Sequence, residues 1–240
     1  MSIPRPRHPI RWVVGAIVVI AALAVAVPFV YIHFLNSAPA ALSLPAASAK
    51  ASASPGGTAT ADTAASTSVA GTWDASAGST VGYRVNEVLL GQNATAVGRS
   101  TSVTGHLTIS GTTATAASFS VPMATIHSDK SQRDAQFDGR IMDVAQYPAG
   151  TFTLTKPISL APVPAAGTIR HYTATGSLTL HGTTRTVTFP VQAELVNGRI
   201  EVTGQIPVLF SAYNIQNPSF AGFVTTQDHG TLEFLLVFTK

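Results

Sequence analysis

The residues able to do acid–base or ion-binding chemistry in this chain gather in one place. Lys130, Arg133, Asp134, Asp138, Arg140 and Asp143 fall between Lys130 and Ala145, in a region otherwise made of short strand-like runs and turns. With Asp129 they supply four carboxylates close in sequence, enough to suggest an acid–base pair. On a helix, however, these carboxylates alternate with Lys130, Arg133 and Arg140 and read as a solvated, charge-balanced face. Arg133-Asp134 has two readings. It forms a polar gate at a cavity mouth, or a structural pair that ties the helical insert down; the second carries more weight, because half-buried pairs mainly fix geometry.

Other chemistries lack their residues. The seven histidines (His8, His33, His106, His127, His171, His181, His229) show no i, i+2 or i, i+4 pairing, and no carboxylate lies at zinc-motif distance. His181, in Leu-His-Gly-Thr, is expected to bond to backbone in a turn. There is no Gly-x-Ser-x-Gly and no glycine-rich phosphate loop. The absence of cysteine removes disulfides, thiolate catalysis and a lipoprotein cysteine. No catalytic residue and no metal site are expected, and the protein is not read as an enzyme.

The net charge of +3 invites a nucleic-acid reading until it is located. From Gly71 onward ten basic residues cancel ten acidic ones, and Lys50 cancels Asp62, so the excess is Arg5, Arg7 and Arg11. A basic N-terminus ahead of an apolar run reports membrane topology, and no nucleic-acid partner is expected.

The elements that must position the charged insert follow from composition. Residues 1–11 form a basic cytoplasmic tail, and residues 12–35, uncharged from Trp12 to Leu35, are long enough for a transmembrane anchor. A long cleaved signal ending after Ala38-Pro39-Ala40 is the competing reading. Residues 36–70, almost wholly Ala, Ser, Thr, Pro and Gly, are expected to be a disordered tether. Residues 71–240 form the folded domain. Runs at Thr80–Val88, Val103–Ile109, Ala117–Met123, Thr151–Leu160, Tyr172–Leu180, Val187–Leu195, Arg199–Leu209 and Thr231–Phe238 alternate with period two, giving about eight strands. Asn197-Gly198 is the strongest hairpin signal between them. Ser128 or Asp129 is expected to cap the helix through Gln132–Gln136, and Tyr147-Pro148 to close the insert. Eight antiparallel strands with one helical interruption fit a closed barrel, since closure removes exposed edges. Such an interior is either filled by side chains or holds one small ligand.

The insert and two later blocks resemble the YceI-like family of bacterial polyisoprenoid-binding proteins. The matching residues are Ile126, Arg133-Asp134, Asp143, Tyr147-Pro148 and Thr151-Phe152, then Gly176 to Arg185, then more weakly Ile206 to Ile215. Family members commonly carry His-Leu after Arg-Asp, where this chain has Ala135-Gln136-Phe137, and an aromatic pair around the aspartate, where it has Ile141-Met142-Asp143-Val144. The resemblance covers about Gly71 to Lys240 and implies a mainly β, antiparallel eight-stranded lipocalin-like barrel with a short helical insert and an elongated apolar cavity.

The implied function is non-covalent binding of an isoprenoid-type or other long-chain amphiphilic lipid, for carriage, storage or stress protection, by a single-pass membrane protein with its barrel extracytoplasmic. The lipid-binding residues implied are Tyr83, Phe119, Phe152, Leu178, Phe189, Arg133 and Asp134. No cofactor is expected other than a bound isoprenoid lipid or quinone, and pairing into a homodimer is left open. The alternative is a packed barrel acting as an envelope interaction module without a ligand. The last strand, Leu232 to Phe238, is apolar on both faces, so its outer face needs covering by the insert or by a membrane or partner.

Overall fold

The computed structural model describes residues 9–30, 38–45, 68–89, 91–220, 222 and 224–240. Period-two alternation builds thirteen strands: β1 (Gly71–Ala75), β2 (Thr80–Leu89), β3 (Gln92–Ser100), β4 (Thr104–Ser110), β5 (Thr113–Pro122), β6 (His127–Ser128), β7 (Ala149–Leu154), β8 (Ile158–Ser159), β9 (Arg170–Leu180), β10 (Thr183–Val196), β11 (Arg199–Leu209), β12 (Val224–Thr226) and β13 (His229–Thr239). Every pairing is antiparallel. The order β1-β4-β5-β7-β9-β10-β11-β13 returns to β1, so eight strands close a ring.

The ring is closed at one end and modified at the other. The same edge of β13 pairs with β1 at Phe238 and Thr239 and with β2 from Thr231 to Leu235. Consecutive strands β1 and β2 thus act as one long strand broken at residues 76–79, and β3 and β4 continue one another in the same way. At the upper end β2 and β3 diverge from the ring, and β3 meets only the two-residue β6. The insert that follows β6 lies at this end, which makes it the mouth.

In the insert, α2 (Ser131–Gln136) runs into a π-helical turn over Phe137–Ile141. The helix cap differs from expectation: Lys130 occupies the N-cap, with no side-chain capping bond. The Ser128 hydroxyl is engaged instead, because Ser128 N–H and Oγ–H both donate to Asp134 Oδ1, at 2.8 and 2.6 Å. The run expected over Thr151–Leu160 is split into β7 and β8, since Pro157 has no N–H for a ladder. Strand β3 has little apolar alternation and does not stand out from sequence, whereas Asn197 (φ 51°) and Gly198 (φ 74°) make the expected two-residue turn between β10 and β11.

The outer face of β13 is covered by two chain segments other than the insert. The β1–β2 turn covers Val237, whose carbonyl accepts from Ser76 N–H at 2.8 Å and whose N–H donates to Ser79 Oγ at 2.9 Å. Glu233, its side chain fully enclosed, pairs with Arg99 at 2.8 Å and Arg84 at 3.3 Å. These arginines also hold residues 38–45, within the stretch expected to be a tether. Arg84 donates to the Pro39 carbonyl at 2.8 Å, Arg99 to that of Ala40, and Leu42 N–H donates to Glu233 Oε2 at 3.3 Å. Residues 36–37 and 46–67 of that stretch lie outside the described residues.

Helix α1 spans Pro9–Val30, and its described side chains, Val14 to Val27 and Val30, are exposed. No helix among the described residues is long and apolar enough to cross a membrane. The tail at 1–8 and the end of the expected span at 31–35 lie outside the described residues.

Candidate functional site: the barrel cavity

Inward-facing residues of the ring, together with the insert at its mouth, line two adjoining apolar cavities. The lower lobe, about 240 Å³, is walled by Phe119, Phe152, Leu178, Phe189, Phe234 and Phe238 among others. The mouth lobe, about 520 Å³, lies under the insert between Tyr83, Phe137, Arg133 and Arg140. Met123, Ile126, Leu180 and Leu232 wall both lobes. Ligand sites typically enclose about 300–1,000 Å³ and carry only a few polar groups, which describes the mouth lobe, with the lower lobe adjoining it.

The lumen stays open because its aromatic rings lie against the wall. A series of ring contacts runs from Phe238 to Phe119 (5.6 Å), Phe119 to Phe152 (6.5 Å), Phe152 to Phe189 (5.6 Å) and Phe189 to Phe234 (6.0 Å). Several of these rings rest on glycine. Phe152 covers Gly176 on β9, and Phe234 faces Gly204 on β11, where a Cβ would come within 2.6 Å of the ring. Tyr83 likewise faces Gly98 across β2 and β3. A side chain at these positions would lift the rings into the lumen, so glycine is what allows large residues to line a cavity without filling it.

Polar chemistry is confined to the mouth. Tyr83 stacks on Phe137 at 5.2 Å, and burial pushes its phenol up to about 12, so it stays protonated near neutrality and able to donate. Burial also raises the Glu87 carboxyl, against the opposing pull of Arg133, whose Nη2 is 3.6 Å away. For Asp129 burial is the largest single influence and acts upward, but Arg133 and Lys130 together outweigh it and hold the group low. Arg133 pairs with Asp129 and Glu87. Arg140 donates to three neutral oxygens, Gln136 Oε1 (3.1 Å), Asn217 O (3.2 Å) and Pro218 O (3.3 Å).

Of the seven residues named from sequence, Phe119, Phe152, Leu178 and Phe189 line the lower lobe, and Tyr83 and Arg133 line the mouth. Asp134 lines neither. It points back into the insert, holding Ser128, with His127 Nδ1 at 3.5 Å from its Oδ2. Arg133 and Asp134 therefore do not pair with each other, because adjacent helical residues point to different faces. His181 also differs from expectation: its Nδ1 is buried without a hydrogen-bond partner, and the ring packs on Tyr147 at 4.5 Å. Missed from sequence were Phe137, Arg140 and the glycine seats. The seats become visible only once strand register is known. No group of three or more metal-ligating side chains occurs among the described residues.

Comparisons with known proteins agree with this architecture. The YceI-like domain family matches residues 72–238. A polyisoprenoid-binding domain from Saccharophagus degradans implicated in plant cell wall breakdown superposes with a TM-score of 0.56 at 17% identity, covering 70% of this chain and 97% of that one. BcnA from Burkholderia cenocepacia gives 0.52 at 23% identity, covering 66% and 95%. At these identities the likeness concerns the fold alone. No curated protein matches the chain.

Proposed function

The chain belongs to the YceI-like domain family, and on that premise we propose that it is an extracytoplasmic carrier that binds an isoprenoid-type or other long-chain amphiphilic lipid inside the barrel. The observation that carries this reading is the pair of adjoining apolar cavities, the aromatic-lined lower lobe and the mouth lobe under the insert. The tail occupies the lower lobe, where each methylene removed from water contributes about 0.8 kcal/mol, so a few isoprene units supply the affinity without polar contacts. The head group, an alcohol, a quinone oxygen or an anionic group, sits at the mouth within reach of Tyr83 and Arg133.

Residues 12–35 act as the anchor. Their uncharged run and the exposure of the apolar side chains on α1 support this, since such a surface needs a non-aqueous neighbour. The three N-terminal arginines place the preceding tail in the cytoplasm and the barrel outside. Residues 38–45, held by Arg84 and Arg99, keep the barrel close to its anchor. The experiment is uptake of undecaprenol by the purified full chain, followed by native mass spectrometry. A one-to-one adduct that is absent from Phe189→Arg supports the reading, and failure of the unmodified chain to form it refutes it.

A further inference from the structure

The mouth of the cavity carries an apolar lip that the lipid-binding reading does not require. Phe220 is 53% exposed and Val88 40%, an uncommon cost for a phenylalanine held in ordered backbone. Phe220 and Val224 exchange backbone hydrogen bonds of 2.9 and 3.2 Å. Val224 in turn pairs with Leu89, and Thr225 with Val88, through β12 and β2. Single exposed apolar residues are ordinary, but pairing sets exposed Phe220 beside half-buried Val224 and Leu89 at the rim of the mouth lobe, with exposed Val88 on the outward face of the same strand. The lip has a firm base. Asn217 Oδ1 accepts from Ser219 N–H and Thr226 Oγ1–H, both at 2.8 Å, and Arg140 ties the carbonyls of Asn217 and Pro218 to the insert.

We propose that this lip docks into a phospholipid bilayer, so that the cavity loads its lipid directly from the membrane. An apolar edge backed by a cation is the pattern of a membrane-interface surface, with the edge entering the acyl boundary and the cation at phosphate level. Arg140 supplies that cation, its donors engaged by neutral oxygens. Chain length permits the docking. From Val30 to Ala38 the chain spans at most about 28 Å. Arg84, which holds Pro39, lies four residues along β2 from Val88, about 13 Å. The inference rests on the anchored-carrier reading, yet it can fail separately.

The test uses the full chain in phosphatidylcholine vesicles, with Trp12→Phe to remove the tryptophan of the anchor; Trp73 is buried and remains as background. In that background Phe220→Trp is compared with Thr112→Trp, in the turn at the opposite end of the barrel, using vesicles with brominated acyl chains. The proposal expects the emission added by Phe220→Trp to be lost to bromine quenching and that added by Thr112→Trp to be retained. Flotation with the vesicles but no quenching at Phe220→Trp overturns the lip and leaves the anchor standing, as does quenching at Thr112→Trp instead. Failure to float overturns both. A second arm measures undecaprenol capture: Val88→Asp, exposed and outside the lining of the mouth lobe, is expected to slow capture from vesicles while leaving capture from detergent unchanged. Equal slowing from both sources would show a general loss of binding and refute a docking role. Loss of capture by every form, with quenching intact, would sink the cargo reading alone.

Discussion

The ring of Phe152 lies directly over the backbone of Gly176, so that a large ring in the cavity wall is held flat by a residue that has no side chain. This relationship links a strand register to a cavity. Replacing Gly176 with Val forces the ring toward the lumen and also presses on the Thr153 carbonyl, 2.5 Å from the added Cβ, overpacking the wall at a cost of about 1–3 kcal/mol. The expected result is a lower melting temperature together with loss of undecaprenol uptake. Retained uptake at full affinity would show that the ring is not what keeps the lumen open.

Phe152→Ala should do the reverse. Removing a ring that touches Phe119 and Phe189 lowers stability by about 3–5 kcal/mol, because the neighbours cannot collapse fully into the space. Ligand uptake should persist, since the tail gains room. Denaturant titration and binding measured on the same preparation check both halves.

Glu194 and Glu201 face each other across β10 and β11, both buried, and Glu194 Oε2 has no hydrogen-bond partner. Burial first, and then the neighbouring Glu201 charge, raises the Glu194 carboxyl above its ordinary value of 4.5. The raised group favours the folded state fully below the unfolded value, and that contribution is lost as pH rises through the folded one. Thermal stability should therefore carry a downward component as pH climbs above the ordinary carboxylate range. Glu194→Gln should flatten that component and raise the melting temperature at pH 7; a lower melting temperature there would contradict the assignment.

Substitution of Glu233, in contrast to Glu194→Gln, should lower stability. This carboxylate is enclosed by Arg84 and Arg99, and its loss strands two cations and releases Leu42. Since both arginines are partly exposed, Glu233→Ala is expected to cost about 3 kcal/mol, the lower end for a broken buried pair. Limited proteolysis should at the same time open the chain near residues 38–45. Unchanged protection there would mean that Glu233 is not needed and that the arginine bonds to the Pro39 and Ala40 carbonyls, with buried Leu44, hold the segment.

Much of this architecture is legible in the sequence because its signals are local. Alternation marks Tyr172–Leu180 and Arg199–Leu209, and Asn197-Gly198 names its own turn. Phe119, Phe152, Leu178 and Phe189 can be assigned inward by period alone once a barrel is assumed. What cannot be read locally depends on partners distant in sequence. Gly176 and Gly204 look like turn or bend residues until Phe152 and Phe234 are placed over them. Asp134 looks like Arg133's partner by adjacency, whereas helix geometry sends the two to different faces. The polar run from Gln92 to Ser100 gives no strand signal, since its ladder is specified by β2 and not by its own side chains. The docking of residues 38–45 depends on Glu233, almost two hundred positions away.

Function as a carrier requires a lipid inside the barrel. The most direct measurement is solvent extraction of the purified full chain, washed free of membrane, followed by mass spectrometry of the extract. The result expected is a long-chain isoprenoid or similar amphiphile in near-stoichiometric amount, greatly reduced in Gly176→Val. An extract free of such lipid, from a chain that also takes up no added undecaprenol, would contradict it.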